Sequence, residues 1–180
     1  MIERSFQKGD AESIATYSDC ERYRFALTRI WDPEGPRVLF VMLNPSTATE
    51  YQNDPTVERC ERRARAQGFG AFRVCNIFAW RSTDPKGLRT CGEPVGAGND
   101  GAILEGADWA DRVVCAWGTH GALLDRGREV EGLLRAHGVA VHHLGLTKHG
   151  HPKHPLYIGY GVAPAPWGSD GGSQEAANPL

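Results

Sequence analysis

No apolar run in this 180-residue chain approaches the roughly 20 residues needed to span a bilayer. The N-terminal stretch, with Glu3, Arg4, Gln7, Lys8 and Asp10, also lacks the hydrophobic segment of a signal peptide. A soluble, cytoplasmic protein with no membrane partner is the expectation. No C-x-x-C pair occurs among the five cysteines (Cys20, Cys60, Cys75, Cys91, Cys115), whose number is odd and whose spacings are wide. That pattern argues against a secreted disulfide framework and against a four-cysteine zinc or iron–sulfur site, both of which announce themselves by close pairs. Cys75 and Cys115 sit inside apolar runs and read as reduced core residues. Nor is there an excess of positive charge: 20 Lys and Arg stand against 22 Asp and Glu, for a net charge of −2. A non-specific, phosphate-tracking nucleic-acid binder carries a strongly basic footprint instead. What is present is 41% hydrophobic residues with charges of both signs interspersed, enough for one core of ordinary domain size. There is no internal repeat.

Residues 1–20 are polar and weakly patterned and read as an N-terminal extension. Arg24 to Trp31 (RFALTRIW) has the composition of a strand or hairpin arm, followed by turn chemistry at Asp32-Pro33-Glu34-Gly35. Arg37 to Leu43 (RVLFVML) is a nearly continuous apolar run of strand length, as in a strand covered on both faces. Asp54-Pro55-Thr56-Val57-Glu58 predicts a helix start, with Asp54 as N-cap, Pro55 at the first helical position and Glu58 early in the helix. That helix should reach about Gln67, where Gly68 and Gly70 can end it. Ala71 to Ala79, Val113 to Trp117 and Val139 to Leu144 are the next strands, and Asn99 to Asp108 and Gly121 to His137 have helical patterning. The alternation predicts an α/β fold: a single three-layer αβα domain over residues 21–162, with a mainly parallel four-stranded sheet. The Pro/Gly/Ser-rich residues 163–180 are expected to be a mobile tail.

In an open parallel sheet, ligands bind beyond the carboxyl ends of the strands. The predicted strands lead in turn into Asn44-Pro45-Ser46-Thr47, into Asn76 with Trp80-Arg81-Ser82-Thr83-Asp84, into Gly118-Thr119-His120-Gly121, and into Gly145 to Tyr157. A polar pocket is expected there, with stacking surfaces and donors to a leaving oxygen or base. All seven histidines lie from His120 onward, and His142, His143, His149, His151 and His154 fall within thirteen positions. Histidine is the commonest metal ligand, so a metal-dependent hydrolase built on this loop is one reading. Against it, there is no H-E-x-x-H helix, and the adjacent strand residues His142 and His143 should face opposite ways.

The span from about Tyr23 to Trp167 resembles a bacterial and phage family known only as domain of unknown function 1643. The motifs that carry the likeness are MLNPSTA (42–48), DPT (54–56), NIFAWRSTDPKGL (76–88), AWGTHG (116–121) and GLTKHGHPKHPLY (145–157). More distantly, the order and placement of these motifs resemble the uracil-DNA glycosylase superfamily, which has an αβα architecture. Leu43-Asn44-Pro45-Ser46 stands where that superfamily has its first motif, with Ser46 replacing a glycine. Asn76 matches its base-reading asparagine, Ala116-Trp117-Gly118 a strand-end motif, and His151 to Leu156 a longer version of its histidine motif.

This resemblance implies hydrolysis of the N-glycosidic bond of a damaged or modified base, in nucleic acid or in a free modified nucleotide. Asn44 would orient the water, and His151 or His154 would stabilise the departing base. Pro45, Ser46, Asn76, Phe78, Trp80, Asp84 and His120 would bind the substrate, with Asn76 reading a base edge and Phe78 or Trp80 stacking on its face. Asp84 or Asp54 would supply a carboxylate base if Asn44 is insufficient. Lys148, Lys153 and Leu156 would meet the nucleic-acid backbone, Leu156-Tyr157 serving as an apolar wedge. Arg59, Arg62, Arg63 and Arg65 form either a further basic face or a solvated helix surface balanced by Glu58 and Glu61. No metal and no cofactor are expected on this reading. A binding module that recognises the base without cleaving it stays open beside it.

Overall fold

In the computed structural model, which describes residues 1–168, eight strands form one sheet. They are β1 (Ile2–Lys8), β2 (Ala11–Tyr17), β3 (Arg24–Ile30), β4 (Arg37–Met42), β5 (Ala71–Asn76), β6 (Arg112–Cys115), β7 (Val141–His143) and β8 (Ala165–Pro166). The α-helices are α1 (Pro55–Ala66), the single turn α2 (Gly87–Thr90), α3 (Asn99–Trp109) and α4 (Arg126–Ala136). The strand order is β1-β2-β3-β5-β4-β6-β7-β8. Strands β5, β4, β6 and β7 run parallel to one another, whereas β1–β2, β2–β3, β3–β5 and β7–β8 pair antiparallel. The expected mainly parallel, four-stranded sheet is therefore corrected: the sheet is eight-stranded and mixed.

The extra strands escape an apolar-run reading for a physical reason. β1 is exposed over most of its length, and the buried face of β2 is Ala11, Ser13, Ala15 and Tyr17, mostly small or polar. Residues 1–20 thus contribute β1 and β2 to the sheet, in register from Ile2 opposite Tyr17 to Lys8 opposite Ala11. At the other end, Ala165 and Pro166 pair with His143 and His142, and the Trp167 N–H donates to the Val141 carbonyl at 2.8 Å. The rest of the expected mobile tail, 169–180, lies outside the described residues.

The centre of the sheet is covered on both faces, which is why its strands read as apolar runs. Val57, Cys60 and Ala64 of α1 pack on Val38, Phe40, Phe72, Val74 and Val114. On the opposite face, Ile103 and Ala107 of α3 and Val130 and Leu134 of α4 pack on Leu39, Val41, Cys75, Val113 and Val141. Each fully buried large side chain contributes about 1.5–3 kcal/mol. Helix α1 begins where Asp54 accepts the Val57 N–H at 2.9 Å, and Pro55 occupies its first turn.

The helical patterning from Gly121 resolves into a 3-10 segment, Thr119–Asp125, and then α4 from Arg126. Gly121 and Gly127 pass against the ring of Trp117 so closely that a Cβ on Gly121 would overlap it, and one on Gly127 would lie 2.6 Å from its Nε1. Fitting the backbone around this indole breaks the helix, and Leu124 and Asp125 adopt positive φ at 55° and 54°. Among the described residues no helix is long and apolar enough to cross a membrane.

Candidate functional site

The four parallel strands end at Met42, Asn76, Cys115 and His143, and the loops beyond them converge. Between these loops lies a cleft of about 710 Å³ lined by Asn44, Ser46, Thr56, Ser82, Trp117, His120, Lys153, His154, Leu156 and Tyr157, among others. Behind it, an inner pocket of about 40 Å³ has Asn44, Ser46, Thr56 and His154 as shared walls, and Arg24, Asp54 and Asn76 enclose it further.

Asn44 is held in one orientation. Its Nδ2 donates to the carbonyls of Pro45 (3.0 Å) and Ser82 (2.8 Å). Two acceptor-only partners fix which end of the amide is nitrogen, and leave Oδ1 free as an acceptor. The loop behind it rests on a buried polar floor. Arg24 donates to the Ala48 carbonyl (2.6 Å), Arg29 to the Thr49 carbonyl (2.7 Å), and Tyr17 Oη to Glu50 Oε2 (2.8 Å). Asp54 accepts from Val57 N at 2.9 Å and from Ala48 N at 3.4 Å. Burial and the hydrogen bond to Glu50 push the Tyr17 hydroxyl up to about 12, and burial lowers the Arg24 guanidinium to about 10 against the opposing pull of Asp54.

His154 joins the cleft through a short 3-10 turn, Pro155–Tyr157, which it caps: its Nδ1 accepts the Leu156 N–H at 3.3 Å. With Nδ1 occupied as an acceptor, a neutral ring carries its proton on Nε2. Burial holds His154 below the usual histidine value, Asp54 opposes that shift, and His120 adds to it. The imidazole is therefore neutral near pH 7. The chain passes beside it at Gly118, whose φ of +73° is a conformation that L side chains rarely adopt.

Asn76 ends β5 only 1% exposed, and neither its amide nitrogen nor its amide oxygen has a hydrogen-bond partner. Its backbone is anchored from behind, where Asn99 Nδ2 donates to the Asn76 carbonyl at 2.8 Å and Arg126 Nε to the Ile77 carbonyl at 2.9 Å. Its side chain, with both polar atoms unpaired, borders the inner pocket.

The cleft and its inner pocket bring together Asn44, Ser46, Asn76, His120, Lys153, His154 and Leu156. The other sequence candidates lie elsewhere. His151 lines a separate hollow of about 150 Å³ with His149, Trp117 and Trp167. Phe78 is fully buried in the core face beneath α3 and α4. Trp80 is half-buried and packs edge-on against Tyr23 at 5.3 Å. Asp84 lines an adjoining hollow of about 530 Å³ with Lys86, Arg89 and His120, and its Oδ1 accepts the Lys86 N–H. Pro45 acts through its carbonyl, which accepts from Asn44 and from the Ser82 N–H. Lys148 is exposed and does not line the cleft.

The arginines of α1 are largely engaged internally. Arg62 pairs with Glu58, Arg65 with Asp10 and Glu61, and Arg63 donates to the carbonyls of Ile158, Gly159 and Val162. Arg59 stacks over Tyr160, 4.9 Å from its centroid. The histidines likewise turn to the backbone: the His143 Nδ1 accepts from Gly145 N at 2.9 Å, and the His142 Nδ1 lies 3.2 Å from the Val113 carbonyl. Among the described residues no group of three or more His, Cys, Asp or Glu side chains is arranged to hold a metal ion.

Thr56 and Trp117 appear in the sequence only within the motifs DPT and AWGTHG, with no site role, and Arg24 does not stand out at all. A charged residue opening a strand, RFALTRI, whose other residues apart from Thr28 and Arg29 are apolar is the one signal that points to Arg24.

The parallel centre of a mixed sheet thus opens into a cleft beyond its strand ends. The chain belongs to the family described as protein of unknown function (DUF1643), whose model matches residues 24–156. The matched span begins at β3, so β1 and β2 fall outside it. No curated protein and no solved structure matches the chain. The likeness to the uracil-DNA glycosylase superfamily accordingly rests on the motifs alone.

Proposed function

We propose that the cleft receives a damaged or modified base, in nucleic acid or in a free nucleotide, and that the chain hydrolyses the N-glycosidic bond. The observation that carries this reading is the unpaired amide of Asn76. Leaving a buried polar group unsatisfied costs about 1–3 kcal/mol, and an amide presents a donor beside an acceptor, the pattern that a base edge complements. A cleft of about 710 Å³ also lies within the usual size range of small-ligand sites.

In the reaction, the bond between the anomeric carbon and the base nitrogen breaks and its electron pair leaves with the base, while the oxygen of a water bonds to that carbon and the proton that water loses passes through solvent to the base. The fixed Oδ1 of Asn44 accepts a hydrogen bond from water and aims the water oxygen at that carbon. The Nε2–H of neutral His154 donates to the base where negative charge grows, a role worth about 3–4 kcal/mol for a comparable donor. Each oxygen of Asp54 accepts a backbone N–H, so this carboxylate caps α1 and holds the loop at Ala48. That same feature favours the second reading, a module that binds the base without cleaving it.

Oligonucleotides carrying uracil or other modified bases, and the corresponding free nucleotides, separate the two. Base release detected by strand scission at abasic sites or by chromatography is expected, and it should fall about 100-fold in Asn44→Ala. Nucleotide binding with no base released from any substrate would leave only the binding module.

A further inference from the structure

The sheet has two unlike edges. β8 is two residues long and includes Pro166, which has no N–H to offer a further strand. β1 is seven residues long, contains neither Pro nor Gly, and is exposed from Glu3 to Gln7. Its only strand partner among the described residues is β2. The turn at Gly9-Asp10, with Gly9 at φ +61°, fixes which backbone groups stay open. In a two-residue hairpin the flanking residues, here Lys8 and Ala11, exchange hydrogen bonds, and so do the alternate pairs Phe6–Ser13, Arg4–Ala15 and Ile2–Tyr17. Glu3, Ser5 and Gln7 therefore turn their N–H and C=O groups outward, and no other backbone group among the described residues bonds to them.

Charge then selects the register in which a second copy can add to this edge. A copy entering antiparallel, about a two-fold axis normal to the sheet, sets each residue against one on the same face, so the axis falls on Arg4, Ser5 or Phe6 if most of the strand is to pair. An axis on Arg4 opposes that arginine to itself, and one on Phe6 opposes Arg4 to Lys8; like charges directly opposite are destabilising. An axis on Ser5 opposes Ser5 to Ser5, Glu3 to Gln7, Arg4 to Phe6 and Ile2 to Lys8, and no like charges meet. Only this register pairs the outward residues Glu3, Ser5 and Gln7 wholly among themselves, so that each exchanges both its N–H···O=C bonds. It also sets the Arg4 cation against the Phe6 ring of the second copy. Within its own chain Arg4 pairs with Glu21 and Lys8 stands 3.9 Å from Glu61, so neither cation guards the edge unneutralised. Phe6 and Tyr51, 43% and 58% exposed, pack edge-on at 5.0 Å beside the strand and gain cover from the second copy.

We propose that β1 is a homodimerisation edge, at which two copies of the chain join antiparallel about Ser5 into one continuous sheet. The two-fold axis reverses the strand direction, so the two clefts open at opposite ends of that sheet. The inference does not depend on the chemistry of the cleft. A single-strand interface is smaller than those of standard stable complexes, so the dissociation constant should lie at about 10–100 μM.

The test is analytical ultracentrifugation of the full chain from about 1 to 500 μM, a range that brackets the expected dissociation constant. The weight-average mass should rise from that of one chain towards that of two. Ser5→Pro removes an outward N–H and leaves the β1–β2 bonds intact, as proline at an open edge position does, and should weaken the dimer more than about tenfold. Gln7 reports the register, because it faces Glu3 of the second copy. Gln7→Lys should tighten the dimer and Gln7→Glu should weaken it, each by about three- to tenfold, and the difference between them should shrink at high salt. Circular dichroism checks that each variant folds, and the Gln7 pair decides the matter if Ser5→Pro does not. A chain that stays monomeric across the whole range overturns the proposal. So does a dimer that Ser5→Pro leaves intact, or one in which the two Gln7 variants do not move the dissociation constant in opposite directions.

Discussion

His154 has two tasks on one ring: Nδ1 caps the turn that carries Leu156 and Tyr157, and Nε2 is left to donate into the cleft. Its pH dependence follows from burial, which lowers the folded-state pKa below the unfolded value of 6.5. A group lowered in this way contributes stability that is present above the unfolded pKa and is lost as pH falls toward the folded one. His143, lowered by burial and by His142, acts in the same direction. Urea denaturation at a series of pH values should therefore show stability declining below about pH 6.5, with a shallower decline in His154→Asn, whose side chain can still cap the turn. An identical pH dependence in that variant would remove His154 as a cause. Asn44 behaves differently, because its two bonds to carbonyls tie the loop to Ser82. Asn44→Ala should reduce base release about 100-fold while costing no more than about 1–2 kcal/mol of stability. A global collapse of the fold would reassign Asn44 to the turn alone.

The β1–β2 hairpin shows how an element far from the strand ends can govern them. Ser13 and Tyr17, on the buried face of β2, hold the backbone carbonyl and the carboxylate of Glu50, in the loop beyond Asn44. Tyr17→Phe leaves that buried carboxylate without its donor and should destabilise the fold by about 1.5–3 kcal/mol, the worth of a hydrogen bond to a charged group. Chemical denaturation measures this, and an unchanged stability would show that the hairpin is not part of the loop's support. This hairpin is illegible in the sequence because its inward positions are Ala11, Ser13 and Ala15, which give period-two burial without period-two hydrophobicity. The apolar runs of β4 to β7 are legible, but the edge strands that complete the sheet are not. The same limit applies inside the site. Asn44, Asn76 and His154 stand out because they lie at or beyond strand ends, whereas Arg24, Arg29 and Arg63 are buried arginines whose letters read as surface. Phe78 is misleading because β5 ends at Asn76. The chain then turns, and Ile77 and Phe78 enter the core face opposite Phe72 and Val74.

The net charge of −2 takes on a sharper meaning once each cation is located. Arg62, Arg63 and Arg65 are engaged with carboxylates or carbonyls. Near the cleft mouth, Lys153 lines the wall and Lys148 is exposed on the same loop, with Tyr157 on the rim at 86% exposure. Two lysines can neutralise about two phosphates, and each phosphate neutralised on duplex DNA contributes about −0.9 to the slope of log K against log salt. Affinity for a labelled duplex should therefore fall only about 10- to 15-fold between roughly 50 and 200 mM salt. Fluorescence anisotropy reads this directly, and replacing Lys148 and Lys153 by Ala should flatten most of the slope. A decline of about 1,000-fold or more, as expected for a protein that makes six or more phosphate contacts, would require a basic surface that these residues do not form. A flat salt response together with tight nucleoside binding would make a free nucleotide, rather than a strand, the ligand that this charge distribution serves.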